Sequence, residues 1–469
     1  MGDDLPEGVT ELRDLVVRLL GRVEDLERRE AKHLRRIDQL ESRLARDSRT
    51  SSKPPSSDAP WSKRRRVRKP KSERPKGGQP GHEGKGRELF DVSAVDEIQS
   101  HRPTVCDSCG HDELAEDARS PHRHQVTVLP VRLARIVEHQ LHKARCGRCG
   151  EITTAALPEH VSDGAFCPRT RALAGTLRGV YRLSVREVER LLRDVFGVAM
   201  STGQISTEEA RLAASLHGAH LEALGAVRTS PAVHVDETPW RRGGRLTWLW
   251  SAVAEHATVF RVDDRRSAKA LRRLVGKRHR GVLITDRMGA YDTHPIERRQ
   301  LCWAHLERDF RALAEGPRGG RRLGRRGLAI AQAVMRSHRL FGEHGDRARL
   351  LREATKLRTR MERLVTAVDA PITRHLRTRL GGLFTYATVP GVDPTNNAAE
   401  RAVRKPVLWR KGCYGSQSDR GERFVERVLT VTATLRRRGE RVFDFLAESL
   451  AAHAAGTDPP VLVQLPIPR

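Results

Sequence analysis

The chain has 469 residues, with 87 Lys and Arg against 59 Asp and Glu, giving a formal charge of +28. At roughly 150 residues per domain the length suggests about three domains. A lack of any run of about 18 uncharged apolar residues excludes a membrane protein, and clear apolar periodicity excludes a wholly disordered chain. The charge favours a polyanion, most simply nucleic acid, although an Arg-rich composition bias also raises it.

The start, MGDDLPEGVT, has neither a basic n-region nor an apolar h-region, so no secretory signal is expected. A cytoplasmic setting follows, in which seven cysteines do not form a disulfide scaffold. Residues 9–47 carry a heptad pattern. Val9, Val16, Val23, Glu30, Ile37 and Leu44 occupy a, and Leu12, Leu19, Leu26, His33, Leu40 and Asp47 occupy d. β-Branched a and Leu d residues suit a parallel two-stranded coil, so a homo-oligomer is expected here. The alternative is an amphipathic helix packed on its own chain.

A Pro-, Ser- and Gly-rich linker spans 48–88 and cannot bury a core. It contains a basic tract that begins Lys63, Arg64, Arg65, Arg66 and fits a phosphate backbone without reading bases. A zinc-binding module is expected at 89–165, where Cys106/Cys109 and Cys146/Cys149 form two CxxC knuckles, each followed by glycine. Four thiolates complete a tetrahedral structural Zn2+ site with no open position for catalysis. The alternating segment Val126 to Leu141 predicts a small β insert between them. His101, His111, His122 and His124 lie nearby and read as surface histidines, with replacement of a cysteine ligand as the alternative.

Residues 168–228 read as a helical, helix-turn-helix-like DNA-binding domain. Ser184 with Glu187 and Ser201 with Gln204 have capping-box spacing, and Gly197 suits a helix end. The second helix would be the reader, with Thr202 and Gln204 near its start. A plain helical hairpin is the alternative.

The stretch 229–450 holds the chemistry. Ala232 to Asp236 predicts a short strand ending in a carboxylate. Two further strands, a helix at about Ser267 to Val275, and a buried strand from Gly281 to Asp286 follow. That order is the order of an RNase H-like α/β fold, in which the first and fourth strands lie side by side. Two strand-end aspartates can then share a hard divalent cation, and Glu400 is the best candidate for a third acid. Taken singly, each has a local alternative. Asp236 fits a strand end, Asp286 a turn cap with Asp292 as competitor, and Asn397 to Glu400 is itself capping-box spacing. Glu237 should face away from Asp236 by strand alternation.

The knuckles, HVDETPW (234–240), ITDRMGAYD (284–292), QLCWAHLERDF (300–310) and the stretch from TNNAAER to GERF (395–424) together resemble a bacterial DDE transposase of the insertion sequence sixty-six family. The resemblance implies an RNase H-like catalytic core with a helical insertion at about 311–385; residues 451–469 read as a C-terminal tail. It implies Asp236, Asp286 and Glu400 as catalytic acids holding two Mg2+ (or Mn2+) ions. Metal-dependent cleavage at the element's ends and strand transfer into target DNA follow from that set. Arg287 departs from the glycine that many members have after the second Asp.

His305 in CWAH, and Arg401, Arg404, Lys405, Arg410 and Lys411 after Glu400, are candidate DNA contacts. Cys302 reads as a core residue, and Trp240 and Trp303 fit either base stacking or the core. Accessory proteins of the same element are expected partners. Two other functions fit parts of the pattern: a catalytically inactive DNA-binding regulator, and a structure-selective nuclease of the same fold.

Overall fold

The computed structural model describes residues 8–44, 88–115, 121–158, 161, 164–316, 318–342 and 345–464. Lys63, Arg64, Arg65, Arg66 and nearly all of the 48–88 linker lie outside the described residues. The chain divides into two units, one of residues 1–62 with 137–469 and one of residues 63–136. No helix among the described residues is long and apolar enough to cross a membrane.

The larger unit begins with helix α1 (Val9–Leu44). Its expected seam residues Val16, Leu19, Val23, Leu26 and Ile37 are all exposed. A short antiparallel hairpin follows, β1 (Lys143–Arg145) and β2 (Ile152–Thr154), with Lys143 opposite Thr154. These strands bracket the second CxxC knuckle. The expected β insert at Val126 to Leu141 is not there, since those residues form no strand. Pro130 lacks the amide a ladder requires, and Val126, Val128, Leu129 and Val131 stand exposed, with no face for alternation to bury.

Four helices come next: α2 (Pro168–Gly179), α3 (Val185–Phe196), α4 (Thr202–Ser215) and α5 (His217–Thr229). The α3 start is a full capping box. Glu187 N–H donates to Ser184 Oγ at 3.2 Å, and Ser184 N–H donates to Glu187 Oε2 at 2.7 Å. Gly197 ends α3 in the left-handed region at φ 66°, where a Cβ would be strained. Leu177, Val188, Leu192, Met200 and Ile205 close a small core among α2, α3 and α4.

The central sheet then forms from β3 (Ala232–Arg242), β4 (Arg245–Val253) and β5 (Thr258–Asp263), helix α6 (Ala268–Val275), β6 (Val282–Thr285) and β7 (Arg299–Leu301). Its order is β5-β4-β3-β6-β7. The pairs β3/β4 and β4/β5 are antiparallel, and β3/β6 and β6/β7 are parallel. A mixed sheet of this kind needs a crossover between the parallel strands, which α6 supplies. Gly243 and Gly244, at φ 52° and 81°, form the two-residue β3–β4 turn, where both positions require the left-handed region.

Helices α7 (Trp303–Glu315), α8 (Arg318–Ser337), α9 (Arg347–Ala367), α10 (Pro371–Arg377) and α11 (Thr385–Thr388) cover one face of the sheet. They build a core of their own with Val282, Ile284 and Leu301. The stretch 311–385, expected to be helical, holds the end of α7 together with α8 to α11. Helices α12 (Asn397–Cys413), α13 (Asp419–Arg437) and α14 (Val442–Ala455) complete the unit. Val233, Val235 and Leu283 enter the opposite core with α5, α6, α13 and α14.

Two described residues after α14 pack back onto this unit. Leu462 and Val463 are buried, and both their amides donate to Glu222 Oε2, at 2.7 and 3.1 Å.

Helix α13 solves the exposed-edge problem of β5. The outward amides of Thr258, Phe260 and Val262 donate to Thr434 Oγ1 (3.1 Å), Thr430 Oγ1 (3.0 Å) and Glu426 Oε1 (2.6 Å). Two residues of strand advance about 6.6 Å and four of helix about 6 Å, so acceptors at i, i+4 and i+8 meet every second amide. The edge is thus closed to pairing with another chain. Thr430→Val leaves the buried Phe260 amide without an acceptor and should cost about 1–3 kcal/mol, read as a lower urea midpoint with unchanged m-value.

The smaller unit holds the first knuckle and a short 3-10 turn, Val92–Ala94, capped by Asp91. Phe90 N–H donates to Gln125 Oε1 at 2.8 Å, and Gln125 Nε2 returns a bond to Phe90 O at 3.0 Å.

Candidate functional site

Strand register brings the first two acids together. His234 of β3 lies opposite Ile284 of β6, and the parallel pairing stops there. Asp236 and Asp286 stand two residues further along, and the period of two puts both on the His234 and Ile284 face. That face is the one covered by α7 to α11.

Asp236 does not end its strand as expected, because β3 continues to Arg242. Its far half pairs with β4 alone, since β6 stops at Thr285. Pro239 is tolerated there because the β6 side has no ladder for it to break.

Asp286 caps its own turn by accepting from Met288 N–H at 2.8 Å. Asp292, its competitor, is committed elsewhere, to Arg299 Nη1 at 2.7 Å and Arg379 Nη2 at 2.6 Å. Arg287, the family departure, forms an ion pair with Asp309 of α7.

Glu400 sits in the first turn of α12 but does not close a capping box. The N-cap is Asn396, which makes no side-chain cap bond. Glu400 Oε1 instead lies 3.4 Å from His305 Nδ1 and 3.5 Å from Arg308 Nη2. Glu400 Oε1 and His305 Nδ1 are both buried and have no hydrogen bond. Burial and then Arg308 push His305 below its ordinary pKa. Cys302 Sγ, a ring nitrogen of His305 and a carboxylate oxygen of Glu400 all lie within 4.8 Å of one another. That is the one group of three such atoms so close among the described residues, so the three carboxylates stand further apart.

The acids nevertheless share one electrostatic neighbourhood. Burial first, then the charges of Glu237, Asp286 and Glu400, hold the Asp236 carboxyl well above its ordinary range. Glu237 points the other way, as alternation requires. It is buried and accepts from Tyr291 Oη and from Arg266, with Arg266 Nε at 2.7 Å. Arg266 Nη2 also reaches to 4.0 Å from Asp286 Oδ2, and its guanidinium lies over the Trp248 ring.

A small set of bonds ties the three acids' supports together. Asn396 Nδ2 donates to Val235 O at 2.7 Å, one residue before Asp236. Asn396 N–H donates to Cys302 Sγ at 3.1 Å. Cys302 N–H donates to Thr285 O at 2.9 Å, one residue before Asp286, and Trp303 N–H donates to Pro394 O at 2.9 Å. Cys302 is buried, which raises its thiol pKa to about 11 and keeps it protonated. Asn396, Arg266, Tyr291 and Arg308 were not assigned from the sequence. Asn396, Tyr291 and Arg308 lie inside the motifs above and Arg266 does not, and the role of Asn396 depends on a contact 161 residues away.

The other candidates separate. Trp240 and Trp303 are fully buried, so both are core residues and not base-stacking platforms. Arg410 is committed to β3 through Pro239 O and Thr238 Oγ1. Arg401, Arg404, Lys405 and Lys411 are exposed on α12. Thr202 is exposed at the α4 start, whereas the Gln204 amide is bonded to buried Glu208.

Each knuckle is shaped for a thiolate. Cys106 N–H donates to His111 O and Cys146 N–H to Glu151 O, both at 2.8 Å, and Gly110 and Gly150 take φ 75° and 77°. Backbone amides of Ser108 and Cys109 lower the Cys106 thiol pKa, and those of Cys149 and Arg148 lower that of Cys146.

The fold and site so far define an α/β protein with paired acids at the join of two parallel strands. The chain belongs to the Transposase IS66 family, which matches residues 164–423, and its role is that of a transposase. Residues 3–88 match a family of unknown function, DUF6444. "Uncharacterized protein y4hP" of Sinorhizobium fredii (strain NBRC 101917 / NGR234) is 24% identical over 412 residues, covering 76% of this chain and 72% of that protein.

Proposed function

We propose that this transposase has an RNase H-like catalytic core in which Asp236, Asp286 and Glu400 hold Mg2+ (or Mn2+), and that it cleaves its element's ends and joins them to target DNA. The observation that carries this reading is the β3/β6 register, which aligns Asp236 with Asp286 on the face toward Glu400. The sheet order, three antiparallel strands and then two parallel ones across α6, supports the RNase H-like reading.

The donor set fits a hard cation. Burial and the charges of Glu237, Asp286 and Glu400 raise the Asp236 pKa, and an oxygen-seeking divalent ion relieves such repulsion. When bound, the ions supply charge stabilisation at phosphorus and an activated water or 3′-hydroxyl. The chain's own groups orient these acids. Met288 N–H fixes Asp286, and the Asn396 bonds fix the start of α12 beneath Glu400. Buried Trp303 and Cys302 seat α7 against the same loop.

Arg401 and Arg404 are proposed backbone contacts, with α4 and Thr202 at the element end. Each knuckle presents two thiolates, half of a tetrahedral set, to structural Zn2+. The exposed Val16, Leu19, Val23 and Leu26 stripe of α1 is proposed to pair with a second copy.

The test is a strand-transfer assay with duplexes bearing the inverted repeats that flank the gene, a supercoiled target plasmid and Mg2+ or Mn2+. Joined products are expected. Binding without cutting identifies a regulator, and cutting without joining identifies a nuclease; either overturns the reading.

A further inference from the structure

Helix α8 breaks two local rules at once. Its first nine positions hold Arg318, Arg321, Arg322, Arg325 and Arg326, and its 20 residues contain no Asp or Glu. Cations in the first turns oppose the helix dipole. Like charges at i, i+4, such as Arg322 with Arg326, repel. Local rules broken without local compensation point to a function.

The opposite side of the same helix explains its position. Gly324 and Gly327 lie so close to α7 that a Cβ would sit 2.2 Å from Ala314 N and from the Phe310 ring. At ~100° per residue, those glycines fall on the side opposite Arg322, Arg325 and Arg326, which share an arc of about 100°. Glycine packing therefore pins one face of α8 to α7 and turns the arginines outward. All three are exposed, and none makes an ion pair among the described residues. Arg321 differs, because its Nε donates to Gly316 O at 2.7 Å.

We infer that the α8 arginine ridge, with Arg322, Arg325 and Arg326 at its centre, is a docking surface for the DNA phosphate backbone. The inference rests on the transposase reading above and adds to it a surface outside the acid site. Charge complementarity selects the partner: a row of outward guanidiniums without acids fits a row of phosphates. Placement agrees. Helix α7 carries the Glu400 neighbour His305 in its first turn and meets α8 at Ala314, against Gly324, about 14 Å further at 1.5 Å per residue. That is about four base pairs at 3.4 Å per pair. Helix α8 is thus the direct neighbour of the helix that carries His305 and Arg308 beside Glu400.

The experiment measures binding of the full chain to a 30-bp duplex of arbitrary sequence, over a KCl series and without added divalent cation, so no cleavage is needed. Each phosphate contact contributes about 0.9 to the slope of log K against log salt. The triple variant R322Q/R325Q/R326Q should lower that slope by about 2–3 and weaken binding at least about 10-fold at about 0.1 M salt. Each single variant should remove a share. Replacing all three with Lys should preserve the slope. The Gln variants should also melt no lower than wild type, because they relieve charge repulsion at the helix start; a purely structural role predicts a lower Tm. The wild-type slope in single and triple Gln variants overturns the ridge and leaves the acid site untouched. Retained cleavage by Asp236→Asn would overturn the acid site and leave this binding result standing.

Discussion

Asp236→Asn should abolish DNA cleavage, by about 1000-fold or more, while affinity for element ends stays within about twofold. The amide keeps the carboxylate's shape and removes its charge, so the change isolates electrostatics at the reacting centre. A 1000-fold loss corresponds to about 4 kcal/mol of transition-state stabilisation. The same substitution should raise the melting temperature at neutral pH. Burial and the charges of Glu237, Asp286 and Glu400 raise the Asp236 pKa in the folded chain. The folded state therefore holds this proton more tightly than the unfolded state does. The resulting stability is fully present below the unfolded pKa, about 3.9, and is lost as pH rises through the raised folded value. The amide never ionises, so the variant's advantage should grow with pH above about 4 and vanish below it. A site optimised for stability would behave oppositely; a site that concentrates charge for a cation behaves this way.

Asn396→Ala should slow cleavage by about 10- to 100-fold with little change in DNA binding. The side chain touches no acid. It joins the α12 start to Val235 O, and its backbone amide reaches Cys302 Sγ, so it sets where Glu400 stands relative to Asp236. Removing Nδ2 leaves Val235 O without that donor in a buried place, at a cost of about 1–3 kcal/mol. Loss of stability alone does not identify a positioning role. The distinguishing readout is the Mn2+ concentration for half-maximal cleavage, measured well below the melting temperature. It should rise several-fold in Asn396→Ala and in the near-isosteric Asn396→Asp, which cannot donate from Oδ. A lowered Tm with an unchanged Mn2+ profile would assign Asn396 to the scaffold only.

How much of this was legible in the sequence depends on whether the signal was local. The capping box at Ser184 and the glycine stop at Gly197 depend on residues within four positions, and both were readable. Asp286 followed a four-residue buried strand, so its placement was readable too. Asp236 was placed on the right strand but at the wrong point along it. The strand's length depends on β4, whose ladder extends to Arg242, and the pattern AVHVD gives no sign of that. Glu400 had a competing local explanation that only geometry removed, since the N-cap fell on Asn396 and not on Asn397.

Three-residue β7 is too short for any periodicity. The α13 ladder against β5 couples residues more than 160 apart, and a Thr every fourth position looks like a polar stripe until the strand edge is beside it. Trp240 and Trp303 had an equal claim to core and to base stacking, and burial assigns both to the core. The alternation at Val126 to Leu141 misled because alternation predicts a strand only where a partner strand exists to cover one face.

The central claim is that Asp236, Asp286 and Glu400 hold the divalent cations used for DNA cleavage. It is tested most directly by letting Fe2+ take the place of Mg2+ in the full chain and generating hydroxyl radicals with ascorbate and peroxide. Radicals cut the backbone beside the bound iron. The account predicts cuts clustered near residues 236, 286 and 400, suppressed by excess Mg2+ and absent in Asp236→Ala. Cuts that map elsewhere, or that persist unchanged in a variant lacking all three acids, would contradict it.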